Sequence, residues 1–277
     1  MTKITKGVIP AAGLGTRMAS LTKGQPKEML PVGGKPMIFH AVVEAALSGL
    51  EEIGVVISEG KEALRRYLES GEWEHDLQRE GQGGGLGPLR VTLVNQPAPL
   101  GSGDAVYRAK ELVGDEPFAL MMPDFILFGA QPALTQVISA YERFGGDIVG
   151  VLPLGSEEAR GFGNVGIIEG TELEGGIVRV RRTSGKRESP LMVRDGETTM
   201  KGVGRWILGP HFFSYLERAK PQDTEWDDTP ALQMICEERG VIGKVLEGKG
   251  FDVGNPVGYQ GAHEFAGREL DRTSKRC

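Results

Sequence analysis

Short apolar runs alternate with amphipathic stretches through the first half of the chain. Residues 7–12 read as a buried strand that runs into a glycine loop. Residues 36–50 predict a helix with proline in its first turn. Its polar residues His40, Glu44 and Ser48 fall four apart and are expected to form one solvent-facing stripe. A strand follows over 53–58 and a helix over 61–69. The run 81–87 holds five glycines and predicts a mobile loop. The alternation then resumes, with a strand over 90–95 and a helix over 103–113. That helix sets Ala105, Val106, Ala109, Leu112 and Val113 on one face. A strand over 118–122 ends at Pro123-Asp124, and a helix over 133–144 precedes a strand over 147–152. Strands separated by helices at this spacing predict a largely parallel sheet covered on both faces.

The second half changes character. Residues 165–169, 177–182 and 201–208 are strand-like, separated by glycine-containing turns. Helices are expected over 211–219 and 229–239, a β-hairpin over 241–253, and a frayed charged tail over 268–276. No Pro- or Ser-rich linker and no repeat divides the chain. The expectation is therefore one α/β domain over 1–277, with halves at 1–150 and 151–260 and a tail at 261–277.

Composition narrows the setting. Glycine supplies 42 of 277 residues, about twice the ordinary ~7%. The glycines show no three-residue period, which excludes collagen. Backbone that bends sharply or approaches something closely is the remaining reason for such an excess. A net charge of −6 gives no overall basic character to attract nucleic acid. The two cysteines, Cys236 and Cys277, make a disulfide framework unlikely in kind and suit a reducing cytoplasm. No signal peptide is expected from the first ten residues, and no run of about 18 apolar residues predicts a membrane span.

The richest segment is Pro10-Ala11-Ala12-Gly13-Leu14-Gly15-Thr16-Arg17, followed ten residues later by Lys27 in Gln25-Pro26-Lys27-Glu28-Met29-Leu30-Pro31. A strand opening into Gly-x-Gly lets backbone N–H groups converge on phosphate oxygens, because side chains are absent where the ligand comes close. Arg17 can meet phosphate bidentately, and Lys27 adds a compact positive charge. The dinucleotide fingerprint is excluded, since its third glycine would be Met18, and no P-loop sequence occurs.

These two segments resemble the signature of the sugar-1-phosphate nucleotidyltransferases, and their wording is most similar to the bacterial UDP-glucose pyrophosphorylases. The resemblance is strong over 7–57 and 93–129 and patchy afterwards. It implies a Rossmann-like mixed, mostly parallel sheet flanked by helices, with a nucleotide-binding first half and a β-rich sugar-binding second half. It implies conversion of UTP and glucose 1-phosphate to UDP-glucose and pyrophosphate with Mg2+, by a homodimer or homotetramer. On this resemblance Arg17 and Lys27 are catalytic, and Ala11, Ala12, Gly13, Leu14, Gly15 and Thr16 bind the nucleotide.

Further segments carry the resemblance. Gln96-Pro-Ala-Pro-Leu-Gly101-Ser-Gly103-Asp104 resembles the family's Gln-x-x-Pro-Leu-Gly-x-Gly, which implies Gln96 and Gly101 as base readers; relatives often carry His at the position of Asp104. Met122-Pro-Asp124 closes a strand, and Asp252 lies in Gly250-Phe-Asp-Val-Gly254. The resemblance implies that this carboxylate pair holds Mg2+, although Phe125 stands where relatives carry a second Asp.

The sugar side departs further. Val165 replaces a tyrosine before Gly166, which keeps the backbone able to meet a sugar hydroxyl. The family's Glu-Lys-Pro is absent from Val180-Arg181-Arg182-Thr183-Ser-Gly-Lys186, leaving Arg182 or Lys186 in place of its lysine. Pro230 likewise replaces an aspartate. Two alternatives remain open: dTTP, CTP or another sugar as substrate, and a nucleotide-binding regulatory paralogue with little turnover. The four histidines show no metal-ligand spacing.

Overall fold

The computed structural model describes residues 2–79, 87–187, 189–222 and 224–274, so the glycine run expected to be mobile lies outside it except for Gly87. In chain order the strands are β1 (Lys6–Pro10), β2 (Pro31–Val32), β3 (Lys35–Pro36), β4 (Glu52–Ser58), β5 (Arg90–Gln96), β6 (Phe118–Met121) and β7 (Phe125–Phe128). They continue as β8 (Asp147–Leu154), β9 (Ile167–Leu173), β10 (Ile177–Thr183), β11 (Thr199–Leu208), β12 (Val241–Val245) and β13 (Lys249–Asp252). Nine of the described strands form one sheet in the order β5-β4-β1-β6-β11-β8-β12-β10-β9. β5, β4, β1 and β6 run parallel. Beyond β6 the pairings are antiparallel except for β8 with β12, so the largely parallel arrangement belongs to the first half.

Continuous apolar stretches explain the centre. Val8, Ile9, Ile53, Val55, Val56 and Ile57 are all buried, as parallel strands covered on both faces require. Helices Met37–Leu47 and Ala133–Phe144 pack on one face, with Ala41, Val42, Leu134 and Val137 in its core. Helices Ser102–Arg108, Phe212–Arg218 and Thr229–Glu238 pack on the other, around Phe118, Phe212 and Trp206. No helix among the described residues is long and apolar enough to cross a membrane.

β11 positions the cavity. The register of β11 with β8 shifts between Gly202 and Trp206, which marks a bulge. On its other edge Arg205–Leu208 pairs with β6, while Met200 and Lys201 pair with the start of β9. β6 and β9 thus fork along a single strand. The gap between them is spanned by Gly202-Val203-Gly204, and the cavity opens there.

Four expectations are corrected. The stripe His40, Glu44 and Ser48 does not face solvent. His40 Nε2 lies 3.0 Å from Val32 O, Ser48 bonds Thr135 at 2.9 Å, and Glu44 pairs with Arg205 at 2.8 Å. Spacing identified a polar face, but partners far away in sequence decided that it points inward. The hairpin over 241–253 does not form: β12 inserts parallel beside β8, and β13 pairs antiparallel with β7 in a separate two-stranded sheet. The helix expected over 103–113 breaks at Ala109 into Ser102–Arg108 and Lys110–Val113. The tail over 261–274 is helical, as part of Pro256–Ser274. Cys236 is a buried free thiol, pushed up to about 12 by burial and then by Asp147, while Cys277 lies outside the described residues.

Arg205 is fully buried. Its guanidinium donates to both Glu44 oxygens, at 2.9 and 2.8 Å, to Met122 O at 2.6 Å and to Phe125 O at 2.8 Å. Removing one partner of such a pair strands the other charge. Glu44→Gln is therefore expected to destabilise the fold by about 3 kcal/mol, read as a lower urea midpoint at unchanged slope.

Candidate active site

The loop after β1 is fixed from behind. Ala11 N donates to Val56 O at 2.8 Å, and Lys61 Nζ donates to Ala11 O at 2.6 Å and to Glu28 at 2.8 Å. Ala11 is thus a buried anchor, not a cavity residue. Ala12, Gly13, Leu14, Gly15, Thr16, Arg17 and Lys27 all line a cavity of about 1060 Å³. Gly13 has open space where a side chain would stand, whereas Gly15 packs against the Lys27 stem. The Glu28–Lys61 pair therefore holds both the loop and the Lys27–Met29 turn. Burial lowers the Lys61 ammonium, and Glu28 only partly opposes this.

Lys27 Nζ meets Asp124 Oδ2 at 2.7 Å. Burial alone would depress the ammonium, but Asp124 and Glu28 outweigh it and hold its pKa above the usual lysine value. Burial would likewise raise Asp124, yet Lys27 and Arg17 keep it below the usual carboxylate range. Asp252 goes the other way, raised by burial and then by Asp124. Its oxygens accept from Gly163 N at 2.8 Å and Gly254 N at 3.0 Å. A side chain at position 254 would collide with both Asp124 and Asp252, so glycine is required where the two carboxylates converge. Lys201 also lines this end, fully buried, with its pKa lowered by burial against the pull of Asp252 and Asp124.

At the opposite wall stand Gln96 and Gly101. Gly101 adopts φ +111° and abuts the Trp226 carbonyl so closely that no side chain fits. Trp226 N donates to Leu100 O at 2.7 Å, and Gly103 N donates to Trp226 O at 2.8 Å. The loop from the first half is thereby joined to the segment leading into helix Thr229–Glu238. The Gly101 position is explained by this protein contact, in addition to any ligand.

The cavity also holds side chains that the sequence pattern did not single out: Lys201 beside the carboxylate pair, and Ser102, Asp227 and Asp228. A lysine interrupting an apolar strand, and a second Asp before Thr229-Pro230, were the available signals. Ser102 Oγ donates to Asp228 at 2.7 Å, and Thr229 N and Oγ1 donate to Asp227 at 2.9 and 2.8 Å. Gly166 and Lys186 line the same cavity. Arg182 instead lines a separate one of about 370 Å³ with Gln233 and Glu237.

Asp228 is pushed up to about 7, first by burial and then by Asp227. Asp227 is held below the usual range: burial opposes this, but hydrogen bonds from Asp228 and Thr229 and the charge of Lys186 prevail. A folded-state pKa above the unfolded value means that the folded chain binds more protons between the two. Stability therefore falls as pH rises from about 4 through 7. Asp228→Asn is expected to flatten this fall, read as a smaller loss of Tm between pH 5 and 8 than in wild type.

A family model for nucleotidyl transferases matches residues 6–269. The chain is 34% identical over 265 residues to a UTP–glucose-1-phosphate uridylyltransferase of Bacillus subtilis (strain 168), spanning 92% of this chain and 87% of that protein. It is 33% identical over 283 residues to a protein of the same name in Pseudomonas aeruginosa (strain PAO1), spanning 98% and 99%. A UDP-glucose pyrophosphorylase crystallised with UDP-glucose shares the fold at a TM-score of 0.79 and 29% identity, over 96% of this chain and 99% of that one. From β1 to the helix after Asp252, the chain belongs to the nucleotidyl transferase family.

Proposed function

We propose that the chain makes UDP-glucose and pyrophosphate from UTP and glucose 1-phosphate in the cytoplasm. The observation that carries this is the convergence of Gly15, Arg17, Lys27, Asp124 and Asp252 in a cavity that Gln96 also lines. The named activities of the full-length relatives support it.

An oxygen of the sugar phosphate attacks the α-phosphorus of UTP, and the bond to the β-phosphate oxygen breaks as pyrophosphate leaves. The attacking phosphate is already anionic, so no general base is needed. Positioning and charge neutralisation carry the reaction. The 13–16 backbone N–H groups and Arg17 hold the leaving pyrophosphate. Lys27 neutralises charge on the transferring group, aimed by Asp124 and by the Glu28–Lys61 pair behind it. Gln96 and Gly101 hold the base. The Gly166 N–H is donated to Ser184 O, so only its carbonyl can accept from the sugar; Lys186 meets the sugar phosphate, and Asp227 accepts from the hydroxyls. Arg182, in its separate cavity, has no part in this scheme.

Asp124 and Asp252 fit Mg2+. Two oxygen donors converge at Gly254, and burial and then the charge of Asp124 raise Asp252, a repulsion that a cation would relieve. Two carboxylates suit an ion that keeps its waters and takes its remaining ligands from phosphates. When bound, Mg2+ supplies charge neutralisation between the triphosphate and the acceptor phosphate.

The test is pyrophosphate release over a panel of nucleoside triphosphates and sugar 1-phosphates with Mg2+. Turnover is expected with UTP and glucose 1-phosphate. UTP binding without turnover of any pair would leave the regulatory alternative standing. Lys27→Ala is expected to lower kcat by about 10²–10³-fold with UTP binding largely retained. Asp124→Asn should shift the Mg2+ titration to higher concentration; an unchanged titration removes Asp124 from the metal site.

A further inference from the structure

At the base end, one amide has its direction dictated by its neighbours. A glutamine can offer either its oxygen or its NH2 to a ligand, and the two ends are nearly the same shape. Gln96 is only 2% exposed and lines the cavity. Its Nε2 donates to Gly101 O at 3.0 Å and to Asp104 Oδ2 at 2.8 Å. A carbonyl and a carboxylate can only accept, so the amide reversed would set oxygen against oxygen twice. Asp104 is itself held by Arg108, whose Nε and Nη2 donate to its two oxygens at 2.7 and 3.2 Å. Oε1 of Gln96 has no hydrogen-bond partner among the described residues and is not sealed from solvent. It is the polar atom that this side chain presents to a ligand.

We propose that Asp104 is a positioning residue that fixes Gln96 as an acceptor and so sets base specificity. The site then takes a base that presents an N–H at this edge, as uracil and thymine do at N3. Cytosine, with a lone pair at N3, is turned away because two acceptors would face each other. This rests on the UTP reading above and adds what discriminates among pyrimidines.

The test compares kcat/KM for UTP, dTTP and CTP, with glucose 1-phosphate, in wild type and in Asp104→Ala. Loss of the carboxylate removes the charged one of the two acceptors that hold the amide and leaves only Gly101 O against its turning. The CTP-to-UTP ratio is expected to rise about tenfold, the scale of one charge-assisted hydrogen bond, while the dTTP-to-UTP ratio stays unchanged. A general loosening of the site would move all three nucleotides together. Asp104→Leu makes the same loss while filling the space, in case the alanine variant does not fold. Asp104→Asn retains an acceptor oxygen and is expected to keep the wild-type preference. A CTP-to-UTP ratio unchanged in both the alanine and leucine variants overturns the positioning role alone. Wild type that turns over CTP as readily as UTP overturns the acceptor assignment. Wild type inactive with UTP removes the functional reading on which it rests.

Discussion

A guanidinium sealed beneath the cavity floor is the constraint from which the rest follows. Arg205 issues from β11 and reaches a helix carboxylate, Glu44, and two main-chain carbonyls of the turn that carries Asp124. A buried charge of this kind is costly unless every donor is satisfied, so its partners are fixed as a set. One turn, one helix and one strand are therefore held in mutual register. Asp124 is aimed by the backbone on either side of it, and Lys27 is aimed by Asp124. The electrostatics of the phosphate end thus trace back to a side chain that never touches the cavity.

The cavity is also tied across its width. Main-chain bonds between Leu100, Gly103 and Trp226 link the base loop of the first half to the acceptor segment of the second, and Ser102 adds a bond to Asp228. Under the proposed reading, Arg17, Lys27 and Lys201, which gather about Asp124 and Asp252, meet polyphosphate charge, and Asp227 and Asp228 offer acceptors to neutral hydroxyls.

What was legible in the sequence was local. Residues 133–144 formed the helix that their periodicity predicted, and the apolar runs at 7–12 and 53–58 became neighbouring parallel strands. What depended on distant partners was not legible. The apolar run Phe125–Phe128 fits a strand, but it was not singled out in the sequence, because the strand it pairs with lies beyond residue 248. The polar stripe of helix Met37–Leu47 was visible, but its burial depended on Arg205, 161 positions away. The glycines divide in the same way. Gly13 faces open space, while Gly101 and Gly254 stand where other parts of the protein come close. No pattern in the sequence singled out Asp227 and Asp228, and only the fold brings them to the cavity.

The fork on β11 has a consequence for the chain as a particle among its own copies. An open sheet offers two lateral borders to which another chain can add a strand. Because β9 returns to β11 through Ile167 and Ile168, β11, β8, β12, β10 and β9 close into a ring, and that border is stitched shut at its start. The stretch that continues past the stitch, Glu169 to Leu173, carries Glu169 and Glu172 on exposed positions, a charged fringe that repels an identical strand. The fork at which the cavity opens thereby also closes one border of the sheet.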